Sequence, residues 1–256
     1  MDVAIQKEES KENIILRLLS YPRAIIALPI TILAFLVYCI ILIIGVTLGG
    51  GLKFQDFFIR NLCQIVLWLF NVHIEVTGKE NLKKGVLFLF NHSSHFDIPI
   101  LVVGIPQTIR FGAKIELFKI PFFGGAMRKT GMLPIARNNR KKVLQVYRDA
   151  SKNVSKGINY ILAPEGTRKS GLEIGSFKSG PFLFGIHGQI PLLPVVIKGA
   201  YKVLSREQLL PSLGKWRNDV KLHILPSIQV EGYRDDDWSK LKDETHKIMD
   251  QQFQKM

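Results

Sequence analysis

A chain of 256 residues has room for one sizeable domain with an appendage, or for two small domains. Its hydrophobic share of 47% is high for a globular domain in water, and its formal charge of +14 asks for an anionic partner, either nucleic acid or a lipid surface. The two cysteines, Cys39 and Cys63, both fall in the apolar N-terminal part, which excludes a disulfide framework, a Cys-x-x-Cys site and a cysteine nucleophile in the polar remainder.

Residues 1 to 23 are mixed in charge and predict a helix on a membrane surface. From Ala24 to Leu52 no charged side chain occurs, a stretch longer than the roughly 20 apolar residues that cross a bilayer. It is too long for the core of a signal peptide and has no well-placed small-x-small cleavage site. A second apolar run, Leu62 to Phe70, is too short to span and reads either as a returning arm or as an ordinary buried helix. With Gly49-Gly50-Gly51 as the bend, residues 1–71 are expected to form a membrane-embedded helical hairpin. Most of the positive charge follows residue 52. Basic segments favour the cytoplasmic side, so the remainder is expected on the cytoplasmic face, drawn to anionic lipid. The apolar anchor, and the lack of a recognisable nucleic-acid motif, weigh against nucleic acid.

From about residue 72 short apolar runs alternate with helical stretches. Strands are predicted at His73–Val76, Gly85–Phe90, Thr108–Gly112, Tyr160–Ala163, Leu192–Ile197 and Leu222–Leu225. Between them, Val143, Val146, Tyr147, Ala150 and Val154 have the spacing of an amphipathic helix over Lys141–Lys156, and Trp238–Phe253 repeats it. This alternation predicts an α/β domain over residues 72–256, a largely parallel sheet flanked by helices. Parallel sheets bind ligands beyond the C-terminal ends of their strands. Two strands end in chemistry, one running into Asn91-His92 and the other into Pro164-Glu165-Gly166-Thr167-Arg168.

His92, His95 and Asp97 stand together after the strand at 85–90. Five residues apart, His92 and Asp97 would sit about 140° from each other on one straight helix, so a turn is needed to join them. Asp97 is a candidate N-cap for a helix starting at Ile98, with Pro99 in its first turn. An aspartate on one ring nitrogen would fix the tautomer of His92 and make it a general base. The same residues also read as a His-x-x-His-x-Asp metal site or as a polar turn. Ser93 or Ser94 as nucleophile has no Gly-x-Ser-x-Gly elbow to support it.

The stretch Asn91–Asp97 resembles the His-x4-Asp block of the glycerolipid acyltransferases. Gly131–Arg137 is similar to their second block, Ala163–Gly171 to their third, and Ile190–Gly199 to their fourth, all in the family's order. Glu-Gly-Thr-Arg after a proline resembles the branch that acylates 1-acylglycerol-3-phosphate (PlsC-type), although Ala163 stands where an aromatic is usual. The resemblance implies transfer of a fatty acyl group from a thioester, acyl-CoA or acyl-ACP, to the 2-hydroxyl of lysophosphatidate, without a cofactor or a covalent intermediate. It implies His92 as base and Asp97 as its partner, with Lys114, Arg137 and Arg168 as phosphate contacts. Glu165 is expected to orient Arg168 or accept from the glycerol, and the backbone at Gly166 and Thr167 to form an anion nest. Lys178 reads as a solvated charge. Pro191 and Pro194 read as shaping a donor groove or as structural. Phe118, Phe122 and Phe123 are expected to line an acyl tunnel or fill core. The competing functions are an acyltransferase with another lysolipid acceptor, a metal-dependent hydrolase at the membrane surface, and a basic lipid-binding domain.

Overall fold

The structure, a computed structural model, describes residues 14–154, 156–208 and 210–256. Residues 1–13 of the predicted surface helix lie outside these, and residues 14–23 continue into the first helix, α1 (Ile14–Thr47). Within α1 an 18-residue window reaches a mean hydropathy of 2.9, and only 17% of it is buried. At 1.5 Å per residue the helix is about 51 Å long, which is long and apolar enough to cross a bilayer. The chain bends at the glycine triad, with Gly49 at φ 95°, and returns as α2 (Leu52–Leu69) packed on α1.

A seven-stranded sheet follows: β1 (Val72–Thr77), β2 (Leu87–Phe90), β3 (Ile109–Lys114), β4 (Leu133–Ile135), β5 (Asn159–Leu162), β6 (Leu192–Lys198) and β7 (Asn218–Ile224). Its spatial order is β1-β7-β6-β2-β5-β3-β4. The five strands from β6 to β4 run parallel, and the pair β1–β7 is reversed through the antiparallel β6–β7 contact. The predicted α/β class with a largely parallel sheet is what forms. The sequence reading lacked β4, whose three residues include Pro134, and began β7 four residues late, at Leu222.

Alternation along each strand sorts side chains to two faces. Phe88, Phe90, Phe111, Ile161 and Val195 face α2 and α3 (Asp97–Gly104). Leu87, Leu89, Tyr160, Leu162 and Val196 face α5 (Arg140–Val154), α6 (Gly180–Gly188) and α8 (Trp238–Lys255). Two short helices complete the set, α4 (Phe123–Lys129) and α7 (Ala200–Val203). Helix α2 belongs to the first of these cores. Cys63 and Leu67 are buried in it, and Phe70 meets Phe96 edge to face at 5.3 Å.

Polar side chains tie α2 to the sheet. Arg110 on β3 is 1% exposed and pairs with Asp56 at 2.8 Å, while Gln55 Oε1 and the Thr130 carbonyl accept its other N–H groups. Arg60 of α2 donates to the carbonyls of Val102 and Ile105, at 2.5 and 2.9 Å. It thereby satisfies the C-terminal end of α3, where a cation also suits the helix dipole.

Helix α1 lies against this body along its length. Near its start Arg23 sits over the Trp216 ring at 4.6 Å and donates to the Lys215 carbonyl at 3.0 Å. Further on Phe35 packs on Phe123 at 4.9 Å, and Cys39 and Leu42 are buried against Ala126.

Candidate active site

Strands β2, β5, β3 and β4 point the same way, and their C-terminal ends surround one cavity of about 700 Å³. His92 after β2, Lys114 at the end of β3, Arg137 after β4, and Glu165, Gly166, Thr167 and Arg168 after β5 all line it. Its apolar wall comes from Leu144 and Tyr147 of α5, Leu183 of α6, and Phe111 and Leu162 of the sheet. Asp97 is fully buried, behind the imidazole.

The His92–Asp97 geometry is set by a tight turn. Asp97 Oδ2 accepts from His92 Nδ1 at 2.7 Å and from the backbone N–H groups of Ser93 and Ser94 at 2.8 and 2.9 Å. Asp97 is the first helical residue of α3, and its carboxylate reaches back into the loop. The expected N-cap at Asp97 is therefore corrected. The carboxylate serves the turn and the histidine, and Phe96 holds the cap position with no side-chain bond. With Asp97 accepting at Nδ1, the proton is held there and Nε2 keeps its lone pair for the cavity. The Ser93 and Ser94 N–H groups are consumed by this contact, and the Ser94 hydroxyl donates to the Leu204 carbonyl at 2.8 Å.

The third block clamps the backbone of His92. Its N–H donates to Glu165 Oε1 at 2.8 Å, and its carbonyl accepts from Lys169 N–H at 2.7 Å. The other oxygen of Glu165 accepts from Gly175 N–H at 3.1 Å. Both oxygens of this 2%-exposed carboxylate are thus engaged by main-chain donors, so Glu165 braces two loops where the sequence suggested a partner for Arg168 or glycerol. Burial pushes its pKa up to about 7, against the lowering effect of the two N–H donors and of Lys169. Asn91 extends the bracing by bonding both backbone groups of Ile197 at 2.8 Å.

Gly166 adopts φ 72°, and its N–H is taken by the Ala163 carbonyl at 3.1 Å, which removes it from the expected anion nest. Arg168 is half-buried at the cavity wall, whereas Lys114 and Arg137 are exposed at the rim, Lys114 lying 3.8 Å from Glu116. His95 also lines the cavity. Its pKa is lowered by partial burial, then by the Arg168 guanidinium and by the neighbouring His92 ring, with Asp97 acting in the opposite sense. His95 and Arg168 thus stand close enough at the cavity wall for the guanidinium to disfavour a second positive charge on the imidazole.

Two cations escaped the sequence reading. Lys178, taken there as a solvated charge, lines the cavity, its stem lying over the turn at Gly166. Arg140 joins it from the first turn of α5. The signal for Arg140 was its place three residues beyond Arg137, at the head of a helix already predicted. Pro191 and Pro194 contribute carbonyls to the sheet, accepting from Leu87 and Leu225, and do not line the cavity. Phe118 is buried beside α4, Phe123 packs on α1, and Phe122 is exposed, so none of the three lines the cavity. Among the described residues no three His, Cys, Asp or Glu side chains gather in a metal-binding group.

A family model described as Acyltransferase matches residues 73–198, the span that carries the four blocks and the strands β1 to β6. The chain is 26% identical over 226 residues to a 1-acyl-sn-glycerol-3-phosphate acyltransferase of Haemophilus influenzae, covering 84% of this chain and 90% of that one. It is 30% identical over 169 residues to the enzyme of the same name from Escherichia coli, covering 65% and 66%. A chloroplastic relative of that name from Brassica napus is 28% identical over 155 residues, 59% of this chain, which spans only 44% of that longer protein. The crystal structure of the 1-acyl-sn-glycerophosphate acyltransferase PlsC from Thermotoga maritima superimposes with a TM-score of 0.59 at 22% identity, over 88% of this chain and 97% of that one. A matched span that holds the histidine turn, the brace behind it and the basic wall of one cavity leads to a single assignment: residues 73–198 form an acyltransferase-family domain.

Proposed function

We propose that this protein transfers a fatty acyl group from an acyl thioester to the 2-hydroxyl of lysophosphatidate, giving phosphatidate. The observation that carries the reading is the His92–Asp97 pair at 2.7 Å, its imidazole opening on the cavity that Arg168 also lines. In this reading His92 Nε2 takes the proton of the glycerol hydroxyl as its oxygen attacks the thioester carbon. The carbon–sulfur bond then breaks, and the leaving sulfur takes the proton back from His92, so that the products are the ester and the free thiol and the imidazole is neutral again. Asp97 stabilises the transient imidazolium, a contribution of about 10²–10⁴-fold for a positioned base. A thioester is already activated, so no protein nucleophile is required, in keeping with cysteines confined to α1 and α2.

Arg168 clamps the acceptor phosphate, since guanidinium presents a bidentate fork to phosphate oxygens. Lys114 and Arg137 at the rim add charge, and the apolar wall receives acyl chain. The relatives' names support lysophosphatidate as acceptor. No cofactor beyond the thioester enters this scheme. Residues 1–71 anchor the chain and residues 72–256 carry the chemistry on the cytoplasmic face. Helix α1 is held to the body at Arg23 and again near Ala126, contacts about 30 Å apart along its axis. Such a helix rests in one leaflet with its exposed isoleucines and leucines toward lipid.

The test is direct. Purified protein in detergent or vesicles is given lysophosphatidate with acyl-CoA or with acyl-ACP, and phosphatidate is measured. Product with either thioester supports the reading and identifies the donor. Product only with a lysolipid lacking the phosphomonoester would favour another acceptor. Release of free fatty acid without phosphatidate would favour a hydrolase.

A further inference from the structure

Between the cavity and the helical hairpin lies a short exposed segment that catalysis does not use. After β3 a single 3₁₀ turn, Ile115–Lys119, leads through Ile120-Pro121-Phe122 into α4. Leu117, Ile120 and Phe122 project from it at 36%, 45% and 54% exposure. An isolated exposed leucine needs no explanation, but three large apolar side chains within six residues form a patch that does.

The segment is held rigidly in this display. Phe122 sits at φ 59°, a backbone region that L side chains adopt at a cost. Gly124 lies so close to the Phe118 carbonyl that a Cβ there would meet the oxygen at 2.1 Å, and Arg128 donates to the same carbonyl at 2.5 Å. A strained phenylalanine pushed outward by an otherwise well-bonded turn is a feature the sequence maintains against local preference.

Three observations say what covers it. The patch is continuous with the apolar face of α1, because the next residue, Phe123, packs on Phe35, and Gly125 approaches Ile43. Exposed cations flank it, Lys119 within the turn and Arg128 and Lys129 at the end of α4, matching an anionic headgroup layer. Leu117 lines the catalytic cavity as well, so the patch is also the cavity's lip.

We propose that the 117–122 segment inserts into the same lipid leaflet as α1, and that its lip at Leu117 is where a lysolipid passes from the bilayer into the cavity. The insertion stands apart from the catalytic reading, whereas the passage of a lysolipid rests on it. The partner is an anionic phospholipid surface. The phosphate-bearing head would slide past Lys119 toward Lys114 while its chain stays on Leu117 and Ile120, so neither end is stripped into water.

The test uses the full chain in vesicles mixing zwitterionic and anionic phospholipid. Cys39 and Cys63 are buried, so an environment-sensitive fluorophore can be placed selectively on Ile120→Cys, on Phe122→Cys as a second position, and on the exposed Asp236→Cys as a control. Insertion predicts blue-shifted emission at 120 and 122, quenching by nitroxides on lipid chains, and protection from aqueous iodide, with the reverse at 236. Iodide quenching at 120 and 122 equal to that at 236 overturns insertion whether or not the protein makes phosphatidate. For the passage, Ile120→Ser/Phe122→Ser, at two exposed positions outside the cavity lining, should raise the apparent KM for bilayer-borne lysophosphatidate about tenfold and leave a short-chain, water-dispersed acceptor unaffected. Equal losses on both acceptors, or no loss on either, overturn the passage.

Discussion

His92 is fixed at three points, its ring by Asp97, its N–H by Glu165 and its carbonyl by Lys169. Removing each contact should act differently. Asp97→Asn keeps an acceptor for the Nδ1 proton but loses the charge that stabilises the imidazolium, so kcat should fall about 10²-fold or more. Its amide nitrogen would occupy the place of Oδ1, which is buried without a partner among the described residues, adding about 1–3 kcal/mol of destabilisation. Steady-state rates and thermal melting in detergent separate the two effects. Glu165 carries a pH signature. With its pKa raised from the ordinary 4.5 to about 7 by burial, the folded state keeps a proton that the unfolded state has released between those values. Its contribution to stability is therefore full below about pH 4.5 and lost as pH rises through about 7. Glu165→Gln removes the titration, so its melting deficit relative to the parent should shrink from pH 5 to pH 8; a constant deficit would argue against the raised pKa. The dyad was one of several readings of the polar turn after β2, beside a metal site and a plain turn, and the resemblance to the His-x4-Asp block is what singled it out. The bracing by Glu165 was not legible in the sequence, since both its partners are main-chain N–H groups, which no side-chain pattern announces.

Helix α3 carries Asp97 at its first residue and ends on carbonyls held by Arg60, so a side chain of α2 braces from the far end the helix that carries one member of the His92–Asp97 pair. The Asp56–Arg110 pair does the same for β3, whose last residue is Lys114. Asp56→Ala leaves a nearly buried guanidinium without its carboxylate and should cost about 3–5 kcal/mol, read from unfolding in denaturant. Arg60→Gln should be milder, about 1–3 kcal/mol, the range for hydrogen bonds from a charged group. At this scale period-2 and period-3.6 patterns were readable wherever one face is buried. Strand β4 was missed because three residues centred on a proline hold no period. The start of β7 was missed because Asn218, Asp219 and Lys221 mask an alternation whose buried members are Asn218, Val220, Leu222 and Ile224.

Across the whole molecule the hairpin and the sheet share one core. Removing residues 1–70 would strip Cys63, Leu67 and Phe70 from it and unfold more than an anchor. A chain starting at Gly50 keeps α2 and removes α1 alone. It should remain folded in detergent and lose flotation with vesicles, and full flotation would contradict α1 as the main anchor. The long apolar helix was plain from composition. Its course along the body was not, because the contacts that hold it, Arg23 with Trp216 and Phe35 with Phe123, join residues far apart in the chain. Four basic side chains on separate strand ends or loops, Lys114, Arg137, Arg168 and Lys178, converge on one cavity only once β3, β4 and β5 lie side by side.

The measurement that bears most directly on catalysis compares phosphatidate formation by the parent and by His92→Ala, matched for melting temperature and vesicle binding. Base catalysis at His92 predicts a loss of at least about 10²-fold in kcat with lysophosphatidate affinity retained. A variant that folds, binds vesicles and still turns over at more than a few per cent of the parental rate would remove the imidazole from the reaction.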